Sequence, residues 1–164
     1  MLVSEEYQEQ YLEEAKKYIY SINFDRVINK MVSDGWIRSD VLNTCDMFRK
    51  FLFLKKKYPA FKNLVPSKDV DEFWHNSILD THLYWSICDG LFPRDKDKNS
   101  DINYLHHYPY FGLDDNGKKD PAILGEAFAA TQALYAKEFG EKEIMVPTRS
   151  KFPSGVYWLL RKLT

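Results

Sequence analysis

Cysteine is scarce in this 164-residue chain: Cys45 and Cys88 are the only two. They could form one disulfide at most, and nothing else in the sequence points to export. Reduced thiols and a cytoplasmic location are therefore the expectation. No apolar stretch approaches the ~20 residues of a membrane span, and the opening MLVSEEYQEQYLEE is too acidic and polar for a secretion signal. Charge of one sign is missing as well. Lys and Arg number 23 against 24 Asp and Glu, a formal net charge of -1, so no phosphate-neutralising basic surface and no nucleic-acid partner is indicated. The one local basic run, Lys55-Lys56-Lys57, reads as the solvated end of a helix, where cations suit the dipole. A glycine-rich phosphate loop, an H-E-x-x-H pair and a serine nucleophile elbow are all absent.

Aromatic residues are plentiful: 11 Tyr, 11 Phe and 4 Trp make 16% of the chain, and 45% of it is hydrophobic. That is enough apolar surface for one substantial core, stabilised by on the order of 25 cal/mol per Å² removed from water. With no linker or repeat in sight, the sequence predicts a single, mainly α domain over residues 1–164.

The apolar spacing predicts about five helices. The first covers residues 4–20, with Ser4 as N-cap and Tyr7, Tyr11, Ala15, Tyr18 and Ile19 on one face. A short one carries Phe24, Val27, Ile28 and Met31 and ends at Asp34-Gly35. The third runs from about Ser39 to Tyr58, with Val41, Leu42, Cys45, Phe48, Phe51, Leu52 and Lys55 along its face, and Pro59 stops it. Cys45 lies on that stripe and reads as a buried, inert thiol. A fourth helix, capped by Ser67 or Asp69, is expected to reach Asp89 before Gly90 and Pro93. Asp120-Pro121 opens the fifth, which continues to Gly140. Between these two lies a long loop, Arg94 to Asp120, with an aromatic middle. Beyond Glu143 the segments around Ile144-Val146 and Val156–Leu160 allow a short hairpin or a last helix. Asp114-Asp115-Asn116-Gly117 is a turn signal. The alternating oxygens of Asp95–Asn103 resemble a calcium loop that lacks its glycine and its closing glutamate, so a solvated turn is the better reading.

All four histidines fall between positions 75 and 107, and Cys88 lies among them. Asp71 and His75 stand four apart and share one helix face. A carboxylate one turn before an imidazole either ligates the same metal or orients the ring. Cys88 points well away from His75 if the helix is continuous, which is the objection to a simple shared site. His106 and His107 follow in a turn before Pro109. Neighbours on extended backbone point in opposite directions, so only one of the two is expected to join a site. The predicted ligand set is Asp71, His75, Cys88 and His107, and a thiolate–imidazole–carboxylate set suits zinc or another divalent transition metal. The bland alternative is a half-buried His75 hydrogen-bonded to Asp71. A Cys88–His107 nucleophile and base is a lesser one.

Val70-Asp71-Glu72-Phe73-Trp74-His75, Tyr84, Cys88 and His107-Tyr108-Pro109 together resemble the pattern V-D-x-x-W-H, Y-x-x-x-C, H-x-P. Proteins related to the plant glycine-rich domain-containing proteins, and their bacterial relatives, carry this pattern. The resemblance spans about 40 residues and implies a functional cluster at Asp71, Trp74, His75, Tyr84, Cys88 and His107, without naming a reaction. This chain departs from it at Ser77, where plant members often have a further histidine, and it has no glycine-rich region.

Two function classes follow. In one, the cluster fastens the long loop to the fourth helix, directly or through a metal, and Tyr108, Tyr110 and Phe111 face a protein partner. In the other, the same cluster holds a zinc ion that activates a water for hydrolysis. The sequence favours the fastening role, since it shows a way of fastening a loop more clearly than it shows catalytic machinery.

Overall fold

The computed structural model describes residues 5–61, 63–92, 104–114 and 116–140, with side chains from Gln8 onward. Among these residues there are six helices: α1 Glu5–Ser21, α2 Asp25–Ser33, α3 Arg38–Lys57, α4 Lys68–Leu79, α5 Thr81–Leu91 and α6 Pro121–Phe139. The mainly helical expectation holds. The hairpin considered for residues 143–164 and the calcium-like segment 95–103 lie outside the described residues.

Local chemistry sets several helix ends. Ser67 Oγ accepts the Val70 N–H at the start of α4, and Asp120 accepts the Ala122 N–H ahead of Pro121 at the start of α6. Gly35 and Gly140 close α2 and α6 with φ of 100° and 66°, in the left-handed region that favours glycine. The expected fourth helix, however, is two. Asp80 leaves the helical region at φ -83°, ψ 81°, and its carboxylate accepts the Leu83 N–H to start α5 afresh. The apolar period runs across this break almost undisturbed, which is why spacing alone reads one helix. The break redirects Tyr84 and Cys88.

α3 is the central element, packed against α1, α2, α4 and α6. Its buried Phe48 and Phe51 meet aromatic rings from α4 and from the α1–α2 connection. Phe24, Phe48 and Phe73 stand 5.4–5.7 Å apart centroid to centroid, and Phe51 lies 5.5 Å from Trp74. Arg49 donates to the carbonyls of Ile19 and Ile22, closing the end of α1, and lies over the Phe24 ring. α1 approaches α5 at Gly90, where any Cβ would run into the Tyr18 ring, and the Tyr18 hydroxyl donates to the Ser86 carbonyl at 2.6 Å. Cys45 is buried as expected, and burial pushes its thiol up to about 11. Both cysteines are free thiols. No described helix is long and apolar enough to cross a membrane.

The lysine run at the end of α3 is more engaged than a solvated terminus. Lys56 donates to the Tyr11 hydroxyl and the Leu91 carbonyl, while burial lowers Lys55 to about 8. Lys57 Nζ lies 2.6 Å from Glu138 Oε2 on α6, and the Tyr58 hydroxyl donates to the other carboxylate oxygen. Burial alone would raise Glu138, but these two donors outweigh it and hold its carboxyl below the ordinary 4.5. A depressed carboxylate stabilises the fold above its unfolded pKa and loses that contribution as pH falls through its folded value. Acid titration of stability is thus expected to show a loss beginning below about pH 4.5. Glu138→Gln should be less stable at neutral pH and should show a shallower acid loss. Identical acid profiles would remove this bridge from the account.

Candidate metal centre

Asp71 and His75 stand one turn apart on α4, and the loop after residue 103 brings His107 onto the same spot. His107 Nε2 lies 2.8 Å from Asp71 Oδ1 and 3.0 Å from His75 Nε2. The second carboxylate oxygen, Oδ2, is 3.8 Å from His75 Nε2. Among the described residues, these three are the group whose possible metal-ligating atoms all fall within 4.8 Å of one another. Asp71 lies near the N-terminal end of α4, where the helix dipole favours a negative charge.

The contacts compete as hydrogen bonds. Nε2 of a neutral imidazole carries one hydrogen or one lone pair. If His107 Nε2 donates to Asp71, it has no lone pair for His75, and its single N–H is divided between the two if His75 Nε2 also accepts. If it accepts from His75, its lone pair faces the carboxylate. A cation at the centre uses all three lone pairs at once. Zinc bonds of ~2.0–2.1 Å at tetrahedral angles place ligand atoms roughly 3.3 Å apart, close to the spacing here.

The environment is graded. The side chain of His107 is 14% exposed, that of Asp71 36% and that of His75 50%. On the protein side, Trp74 stands edge-on to the His107 ring at 4.6 Å and is itself part of the aromatic core. The other side of the cluster faces solvent.

The sequence-derived residues distribute as follows. Asp71, His75 and His107 converge, and His106 does not. It is exposed, and its ring lies tilted against that of Tyr104 at 5.0 Å. His82 is exposed on α5, and Ser77, the position of the further histidine in the resembling pattern, is buried with its hydroxyl on the Phe73 carbonyl. Cys88, named from the sequence as a ligand, lies outside the converging group. It is buried, burial raises its thiol pKa, and its sulfur accepts the Leu105 N–H at 3.5 Å. The break at Asp80 sends α5 behind the loop, so Cys88 meets backbone there. Trp74 and Tyr84 have roles that sequence reasoning left unread: Trp74 Nε1 donates to the Tyr84 hydroxyl at 2.9 Å, and that hydroxyl donates to the Leu105 carbonyl. The signal that pointed to them was their place in the motif string.

Past His107 the chain makes a tight aromatic turn, with the rings of Tyr108 and Tyr110 6.1 Å apart and both largely exposed, while Phe111 is half-buried. The turn is anchored beyond Gly112, where the Asp120 N–H donates to the Gly112 carbonyl at 2.7 Å and Leu113 pairs with Lys119. The predicted turn at 114–117 is present: Asp114 accepts the N–H groups of Asn116 and Lys118, and Gly117 has φ 74°.

No family model, curated protein or solved structure matches the chain, so the chemistry of these residues carries the functional reading.

Proposed function

We propose that this domain binds one divalent transition metal, zinc foremost, through Asp71, His75 and His107, and uses it as an open centre that activates a bound water or polarises a substrate oxygen. The single observation that carries this is the position of His107 Nε2, within 3.0 Å of both a carboxylate oxygen and a second imidazole nitrogen, so that three potential ligand atoms converge where a single N–H would have to be shared. Three protein ligands with a solvent-facing side leave a coordination position for water, which is the mark of catalytic rather than closed structural zinc. When bound, the metal would lower the pKa of that water to about 7. The exposure of His75 and Asp71 supports an open site, and the hydrogen bonds on Leu105 supply loop fastening without a metal. For these reasons the enzyme-like reading, hydrolytic in class, takes precedence over a purely fastening role.

A second reading keeps its own support. Tyr108 and Tyr110 are 67% and 64% exposed on an anchored turn directly after a ligand, a placement suited to contact with a protein partner. The division of the motif also supports kinship with the glycine-rich domain-containing family: three of its residues are the ligands and three hold the loop.

Cobalt substitution tests the proposal. One cobalt per chain is expected, with ligand-field bands of a nitrogen–oxygen site, no near-UV thiolate charge transfer, and a spectral change on adding a hydroxamate. Failure to bind stoichiometric metal would overturn the proposal. A bound metal whose spectrum ignores hydroxamate would return the site to the closed, fastening role.

A further inference from the structure

Three ligands on two separate elements must be brought into register, and the group that does this is not itself a ligand. Asp71 and His75 come from α4, whereas His107 comes from a loop with no helix or strand of its own at that point. Loop backbone with unpaired N–H and C=O groups is free to slide. At Leu105 both groups are taken by side chains of α5: the carbonyl by Tyr84 and the N–H by Cys88. Tyr84 and Cys88 are four apart on one helix and therefore share a face. They hold one loop residue by both of its backbone groups, as a neighbouring strand would. The side chain of Leu105 is buried beneath this grip.

Leu105 is buried, His106 exposed and His107 half-buried, the alternation of an extended segment, in which residues two apart point the same way and neighbours point oppositely. Gripping Leu105 with its side chain inward therefore turns His107 inward and His106 outward, which is the observed pattern of exposure. A slip of one residue would exchange them. The Tyr84 oxygen also receives the Trp74 N–H, and Trp74 is the neighbour of His75 on α4. One phenol oxygen thus ties the helix bearing two ligands to the loop bearing the third.

Resting on the metal reading above, we infer that Tyr84, supported by Cys88, is the positioning residue of this centre: it sets the register of residues 105–107 and so selects His107 over His106 as the third ligand. Outer partners of this kind typically contribute 10–100-fold to metal affinity.

The test is cobalt titration of the full chain as wild type, Tyr84→Phe, Cys88→Ala and Ile87→Val, the last a buried control on the same helix. Tyr84→Phe is expected to weaken cobalt binding by about 10–100-fold and to alter the ligand-field bands, with Ile87→Val leaving both unchanged. Cys88→Ala should act in the same direction and, in metal-free protein, should speed amide hydrogen exchange at Leu105. In the Tyr84→Phe background, His106→Ala should remove part of the residual affinity, as a slipped register requires. If Tyr84→Phe does not fold, Cys88→Ala carries the test alone. Wild-type affinity and wild-type bands in the folded clamp variants would overturn the positioning role and leave the metal proposal standing. Absence of cobalt binding by the wild type would overturn the metal proposal, and this inference with it.

Discussion

His107→Ala is expected to weaken zinc binding by more than the ~10–100-fold that follows loss of an outer-sphere partner, and His106→Ala is expected to leave it unchanged. The two residues are adjacent, of one type, and equally able to ligate in an unfolded chain. Only the folded backbone separates them: His107 is 2.8 Å from Asp71, and His106 is outside, against Tyr104. In the proposed centre, removing His107 takes away one of three ligands and leaves Asp71 and His75 as an i,i+4 pair on one helix face. Competition against a chromophoric chelator measures the difference directly. Stability provides a second readout, because a ligand that binds only the folded state at a hundredfold excess over its Kd stabilises by about 2.7 kcal/mol. Zinc should raise the unfolding midpoint of the wild type and of His106→Ala, but not that of His107→Ala. Equal damage from the two substitutions would mean that the loop does not hold this register in solution.

The second large effect concerns the core behind the site. Phe73→Ala is expected to cost about 3–5 kcal/mol, the usual range for deleting a buried aromatic ring. Phe73 is fully buried, with rings of Phe24 and Phe48 within 5.5 Å, so three elements lose contacts at once. Small domains have only about 5–15 kcal/mol of total stability, so this one change should consume a large share of it. Phe61, 51% exposed, serves as the contrast: Phe61→Ala should stay within about 0.5 kcal/mol of wild type. Urea unfolding of both proteins decides it. A Phe73→Ala loss below about 1 kcal/mol would show that α4 can collapse onto α3, contrary to the packing described.

Much of the helical layout is legible in the chain because helix ends are local events. Ser67, Asp120-Pro121 and Gly140 act on backbone groups within a few residues of themselves, and each does so where the sequence places it. The face of α3 is legible for the same reason: Val41, Cys45, Phe48, Phe51 and Leu52 recur at helical spacing and are buried. The period misleads at Asp80, where an N-cap interrupts the helix without interrupting the apolar stripe. The charge pattern misleads at Lys55–Lys57, since a run of cations at a helix end looks solvated until the rings of Tyr11 and Phe92 and the Glu138 carboxylate close around it. Cys88 is the instructive residue. Its type and neighbourhood suggest a ligand, yet the redirected α5 turns its sulfur to the Leu105 backbone.

Local patterns in the chain are enough to show that it is mainly helical and where several helices begin and stop, that all four histidines lie within about one fifth of its length, and that only one of His106 and His107 could face a shared site. The motif string also singles out His107 beside Asp71 and His75, whereas the separation of Cys88 from these three comes from the tertiary structure. The physical reason is range. Capping and periodicity act over about four residues, whereas residues 71 and 107 meet only because α5 turns at Asp80 and grips the loop backbone two residues before His107.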